Sequence, residues 1–198
     1  HNQAEDLIFV SGQISKMAED PSSIVFDRID SKKCFMGFSM GGGSSFIAAL
    51  QCSDIHAIVA LAPYNTKPSA LQAASYVTIP TLIMSGNDDC ITPPEEHHIP
   101  IYQASPSENK TLIRIKGGNH CQMVNKSSTC HFGESFKRCK PGISQNDQQV
   151  ILFKYLIPWL QFYLKGNAGA ARQFDLIIQS DGSIEHTRSR PLIVDSTE

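Results

Sequence analysis

The chain has 198 residues, a formal net charge of −2, 41% hydrophobic residues and 18% charged residues, the balance of one globular domain. That charge gives no strong field to recruit nucleic acid. The longest apolar stretch, Val150 to Leu164, is interrupted by Lys154 and Pro158 and is shorter than the roughly 20 residues needed to span a bilayer.

In chain order, Asp6 to Met17 reads as a helix, and Asp27-Arg28-Ile29-Asp30 leads into a short apolar strand, Lys33 to Met36. Gly37-Phe38-Ser39-Met40-Gly41 follows, with Gly42 and Gly43 behind it, and Ser44 to Cys52 reads as a helix. Strand, small-residue turn and helix in that order form a nucleophile elbow, which holds a serine in a strained turn with its hydroxyl above the sheet. Glycines two residues either side let strand and helix approach closely. Three more apolar runs, His56 to Leu61, Thr81 to Ser85 and Thr111 to Ile115, are dense enough to predict parallel strands covered on both faces. Helical patterns run from Pro94 to Gln103 and from Gln145 to Leu164. In the tail from Phe174 to Glu198, Leu176-Ile177-Ile178 and Pro191-Leu192-Ile193-Val194 could form a peripheral hairpin around Asp181-Gly182. The class is α/β with a doubly wound, mostly parallel sheet.

Functional groups in such a sheet gather at the carboxyl ends of its strands. Ser39 stands after the first strand, Gly86-Asn87-Asp88-Asp89-Cys90-Ile91-Thr92-Pro93 after the third, and Gly117-Gly118-Asn119-His120-Cys121 after the fourth. Each residue alone is bland: a capping serine, a turn aspartate, a loop histidine. Together they follow the order Ser, Asp, His that α/β-hydrolases use. A serine hydroxyl is a poor nucleophile unaided, so His120 is expected to remove its proton and return it to the leaving alcohol. Asp89 is expected to fix the imidazole tautomer, with Asp88 as the competing carboxylate, and the Met40 N–H to supply one oxyanion donor at the start of a helix. Asp89 is preferred because Ile91 would then pack down and leave Asp88 to solvent.

Gly-Phe-Ser-Met-Gly-Gly-Gly, Ile79-Pro80-Thr81-Leu82-Ile83, Asn87 to Pro93, Ile99-Pro100-Ile101-Tyr102 and Gly117-Gly118-Asn119-His120 resemble the successive signatures of cutinase-like polyester hydrolases, over roughly residues 30 to 125. More distantly the chain resembles dienelactone hydrolases and platelet-activating-factor acetylhydrolases. The resemblance implies a carboxylic ester hydrolase of α/β-hydrolase fold, with no metal and no organic cofactor, acting on a small, lipid-like or polymeric ester. Two tryptophans usual in polyester hydrolases, one before the serine and one after the following strand, are replaced by Phe38 and Tyr64. These two are the candidate substrate-binding aromatics, Phe38 being also a candidate for core packing.

The family's second oxyanion N–H comes from a loop well upstream of the elbow, and only about 30 residues precede the nucleophile strand here. The expectation is therefore the carboxyl-terminal portion of a hydrolase, its partner the amino-terminal remainder. Within that single domain, residues 1–30 would be a lead-in helix, 31–165 the catalytic core and 166–198 a peripheral tail. A serine peptidase on the same fold and a non-catalytic binding module are the alternative readings.

Six cysteines, at positions 34, 52, 90, 121, 130 and 139, allow three bridges in fifteen pairings. Cys34 reads as a free core thiol. Cys90 and Cys121 adjoin the candidate Asp and His; the polyester hydrolase resemblance favours a bridge between them, and Cys130 and Cys139 could close their own loop. Such bridges favour an oxidising compartment, secreted or periplasmic. His120, Cys121, Cys130, His131 and Cys139 lack the short spacings of a zinc site. Glu95-Glu96-His97-His98 reads as a solvated helix start, and Asn109-Lys110-Thr111 and Asn125-Lys126-Ser127 as chance glycosylation patterns.

Overall fold

The computed structural model describes residues 3–137 and 139–193. Its elements are α1 (Gln3–Glu19), β1 (Lys33–Phe38), α2 (Met40–Ala49), β2 (Ile55–Leu61), α3 (Ala70–Ala74), β3 (Thr81–Gly86), α4 (His98–Ala104), β4 (Lys110–Ile115), α5 (Ser128–Lys137), α6 (Gln145–Lys165), α7 (Ala168–Ser180) and β5 (Ile184–Arg188), with a short 3₁₀ turn at Cys121–Met123. The strands form one sheet in the order β1-β2-β3-β4-β5. The first four run parallel and β5 pairs antiparallel with β4.

The continuous apolar runs are explained by burial on both faces. Every residue of β3 is buried, and every residue of β2 except His56. Alternate residues point to opposite layers. Val59, Leu82, Met84, Ile113 and Ile115 pack against Leu152, Tyr155 and Trp159 of α6 and Phe174 and Ile178 of α7. Ile58, Ala60, Ile83 and Leu112 pack against Phe46 of α2, the alanines of α3 and Ile101 and Tyr102 of α4. The result is a three-layer α/β sandwich whose strand ends present the loops that carry Ser39, Asp89 and His120.

α6 begins where the Ser144 side chain accepts the Asp147 N–H and ends at Gly166, whose φ of 65° suits the left-handed cap. It is one of the longer helices, but among the described residues no helix is long and apolar enough to cross a membrane. α4 starts at His98, not Pro94. A helix begun at Pro94 would hold Pro100 in its interior, without an N–H and against the carbonyl four residues back, whereas a start at His98 puts Pro100 in the first turn; ahead of it the Pro93 carbonyl accepts the N–H groups of Glu96 and His97 in a turn.

The tail differs from the hairpin expected of it. Asn167 caps α7 by accepting the Ala170 N–H at 3.1 Å, and Ala170, Ala171, Phe174 and Ile178 bury one helical face. Leu176-Ile177-Ile178 therefore lies in a helix, and Phe174 and Ile178 belong to the core rather than the periphery. The turn at Asp181-Gly182 leads into β5, which extends the main sheet. Val194 to Glu198 lie outside the described residues.

Candidate active site

β1 ends at Phe38 and α2 starts at Met40, so Ser39 alone makes the turn, with φ 55° and ψ −117°. A non-glycine residue at positive φ is strained. The strain is held by three backbone bonds: the Ser39 N–H donates to the Leu61 carbonyl at 2.9 Å, and the Ser39 carbonyl accepts the N–H groups of Tyr64 at 2.9 Å and Gly43 at 3.1 Å. A Cβ at Gly37 would lie 2.2 Å from the Gly41 carbonyl carbon and oxygen, whereas one at Gly41 would meet open space. Of the two glycines flanking the serine, only Gly37 is required by close approach.

Ser39 Oγ lies 3.1 Å from His120 Nε2, and His120 Nδ1 lies 2.7 Å from Asp89 Oδ2. The His120 and Asp89 side chains are only 3% and 0% exposed, so water cannot compete for their contact. Asp89 Oδ1 accepts the N–H groups of Ile91 at 3.0 Å and Thr92 at 2.8 Å, and Oδ2 accepts the Thr92 hydroxyl at 2.9 Å. Asp88 is exposed, its N–H donating to the Gly118 carbonyl. The structure thus brings Ser39, His120 and Asp89 together and leaves Asp88 out, while Ile91 is only half-buried.

The Met40 N–H opens α2, where the first amides have no intrahelical partner; the Met40 side chain is exposed. A cavity of about 430 Å³ lies over Ser39, bordered by Phe38, Met40, Ile91, His120 and Thr129. The Phe38 ring centre is 4.6 Å from that of His120, and Phe38 also packs on the core, so both roles expected of it are compatible with its position. Tyr64 is 40% exposed and borders an adjoining cavity of about 690 Å³ with Ser44, Thr66 and Lys67; Gln3 and Met40 line both cavities. The Tyr64 ring packs at 4.8 Å on His97.

Two bridges clamp the site, and neither is the pairing expected. Cys90 bonds Cys139 and Cys121 bonds Cys130, with Cα separations of 6.1 and 5.7 Å, inside the usual range. The reason is α5, which folds over the site and carries Cys130 and the chain toward Cys139 to the two loops. Further bonds hold it there: buried Glu134 accepts the Cys121 N–H at 2.8 Å, and Lys137 donates to the Cys90 carbonyl at 3.0 Å. Cys121, His131 and Glu134 come close enough to share a metal ion, but Cys121 sulfur is bonded to Cys130 and offers no thiolate. Cys34 is free and half-buried, its thiol pushed up to about 12 by burial.

Sequence reasoning missed three side chains. Gln148, fully buried on α6, accepts the Asn119 N–H at 2.9 Å and donates to the Asn119 carbonyl at 2.8 Å, fixing the loop of His120. Thr92 Oγ1 sits 3.0 Å from His120 Nδ1 and 3.0 Å from His98 Nε2. His98 is fully buried. The solvated helix start expected over Glu95 to His98 therefore holds for the two glutamates, which are exposed, but not for His98, because α4 turns it inward under the Asp89 loop. The pattern of strand ends could have drawn attention to Thr92; nothing in the local composition marks Gln148 or His98.

A doubly wound sheet with a strained serine at one strand end and a histidine-carboxylate pair at two others defines an α/β-hydrolase. The chain belongs to the PET hydrolase-like family, whose model, described as PETase, matches residues 3–169. It is similar to Cutinase 1 of Thermobifida cellulosilytica, 35% identical over 121 residues, which are 60% of this chain and 44% of that protein. The cutinase of Thermobifida fusca (strain YX) is 35% identical over 121 residues, 60% of this chain and 38% of the relative. The bis(hydroxyethyl) terephthalate hydrolase of Streptomyces coelicolor is 28% identical over 144 residues, 72% of this chain and 38% of the relative. The chain thus spans less than half the length of each of these relatives.

Proposed function

We propose that the chain carries the reacting groups of a serine carboxylic ester hydrolase. Ser39 Oγ attacks the ester carbonyl as its proton passes to His120 Nε2, and the tetrahedral oxyanion accepts the Met40 N–H. The alcohol leaves with the proton from His120, and water repeats the sequence on the acyl-enzyme. Asp89 keeps the Nδ1 proton of His120 in place and stabilises the imidazolium. The observation that carries this reading is the unbroken line from Ser39 Oγ to His120 to Asp89, at 3.1 and 2.7 Å, starting from a strained serine at a helix N-terminus.

The substrate class is a hydrophobic carboxylic ester. Phe38, Met40 and Ile91 make the cavity wall beside Ser39 apolar, which fits an acyl or aryl group, and the relative named for bis(hydroxyethyl) terephthalate makes aromatic diesters and their polymers the first class to try. The two bridges at the site support work in an oxidising compartment, secreted or periplasmic. The test is labelling with a fluorophosphonate and peptide mapping, followed by turnover of p-nitrophenyl butyrate and bis(hydroxyethyl) terephthalate. The expected result is an adduct on Ser39 and turnover abolished by Ser39→Ala. A folded protein that takes no label, or turnover that survives Ser39→Ala, overturns the reading.

A further inference from the structure

Asp89 and His120 do not end the hydrogen-bonded line. Thr92 Oγ1 has four polar neighbours: Asp89 Oδ2 at 2.9 Å, His120 Nδ1 at 3.0 Å, His98 Nε2 at 3.0 Å and the Ala62 carbonyl at 3.3 Å. A hydroxyl has one proton and two lone pairs. Asp89 and Ala62 can only accept, and the proton goes to the closer, charged oxygen of Asp89, since charge-assisted bonds are the stronger. His120 Nδ1–H is directed at Asp89, 2.7 Å away. The lone pairs of Thr92 Oγ1 are then left for His98, which must donate.

His98 agrees with that assignment. It is fully buried, and its Nδ1 is without a hydrogen-bond partner. With the proton on Nε2, Nδ1 is a bare lone pair, less costly to bury unpaired than the N–H of the other tautomer or of the cation. Burial also pushes the imidazole down to about 3, which keeps it neutral wherever an ester hydrolase would work.

We propose that Thr92 and His98 are positioning residues that act in series, His98 orienting the Thr92 hydroxyl and Thr92 orienting the Asp89 carboxylate against His120. Without His98 the Thr92 hydroxyl is free to turn to the Ala62 carbonyl, and Asp89 Oδ2 loses a donor on the edge that faces His120. The consequence is a poorer grip on the imidazolium that forms during attack, which is a loss in kcat and not in substrate binding. This proposal rests on the ester hydrolase reading above.

The experiment measures kcat and KM for p-nitrophenyl butyrate in the full protein for Thr92→Val, Thr92→Ser, His98→Leu, His98→Gln and the double variant Thr92→Val/His98→Leu. It also records the low-field proton NMR signal of the bond between His120 and Asp89. Thr92→Val should lower kcat about tenfold, the size of one hydrogen bond to a charged group, with KM within about twofold. Thr92→Ser should recover most of that loss, and His98→Gln, whose amide can donate, should exceed His98→Leu. Because His98 acts through Thr92, the double variant should be no worse than Thr92→Val alone, and the NMR signal should move in Thr92→Val and His98→Leu. Additive losses, Thr92→Ser as poor as Thr92→Val, or an unmoved signal would overturn the proposal. A signal that moves in a protein with no Ser39-dependent turnover keeps the series and removes the hydrolase reading instead.

Discussion

Removing the two bridges separately should cost unequal amounts, and the order is set by the chain each one closes. Cys90 and Cys139 are 49 residues apart, Cys121 and Cys130 only 9. A bridge acts mainly by restricting the unfolded chain, with an entropy that grows with the logarithm of loop length; at 25 °C this gives about 4 kcal/mol for the long loop and about 2.6 kcal/mol for the short one. Cys90→Ala/Cys139→Ala should therefore be the less stable pair variant. With a urea slope of about 2 kcal/mol per molar, its midpoint should fall by about 2 M, and that of Cys121→Ala/Cys130→Ala by about 1.3 M. Urea titration followed by tryptophan fluorescence reads both, because the single Trp159 is fully buried in the core. Equal losses, or a larger loss for the short loop, would refute the reasoning. The bridges would then stabilise by holding α5 on the folded site rather than by restricting the unfolded chain.

Gly37→Ala should fail to give soluble folded protein, since its Cβ would fall 2.2 Å from the Gly41 backbone, whereas Gly41→Ala, in helix α2 with open space at its Cβ, should fold with a melting temperature no lower than that of the parent; thermal melts of both check this. Asp89→Asn should lower kcat on p-nitrophenyl butyrate by about 10⁴-fold by favouring the wrong histidine tautomer, while Asp88→Asn, on the exposed neighbour, should stay within about twofold. Burial holds His98 at about 3 against an ordinary 6.5. Below pH 6.5 the unfolded chain therefore takes up a proton that the folded chain refuses, and stability falls as pH drops. Between pH 7 and pH 5 this term is worth about 2 kcal/mol, and urea titrations at the two pH values should show that much less pH dependence in His98→Gln.

The sequence showed most where the physics is local or repeats along one element. Apolar runs long enough to need cover on both faces put β1 to β4 within a residue or two of where they lie, and polar residues at three of their ends picked out Ser39, Asp89 and His120. The alternation of Ile58 with Val59 and of Leu82 with Ile83 then decided which helix each strand meets. Errors began where an outcome depends on a distant segment. Leu176-Ile177-Ile178 suits a strand as well as a helix by composition; the Asn167 cap and the apolar face it starts decide for α7. Cysteine spacing could not choose among fifteen pairings because the choice is made by α5, which carries Cys130 back to the His120 loop.

His98 shows the same limit more sharply. The three residues before it, Glu95, Glu96 and His97, say surface, yet α4 begins at His98 and turns it onto Thr92. Pro100, which a helix tolerates only in its first turn, sets the late start, and Thr92, three residues beyond Asp89, makes the polar contact that lets an imidazole be buried there. A charged run is therefore a weak guide to exposure where it crosses from a turn into a helix at a strand end. That boundary is also where a hydrolase places its acid, so the residues that hold Asp89 are found by counting donors and acceptors around it, one proton at a time, rather than by reading the chain.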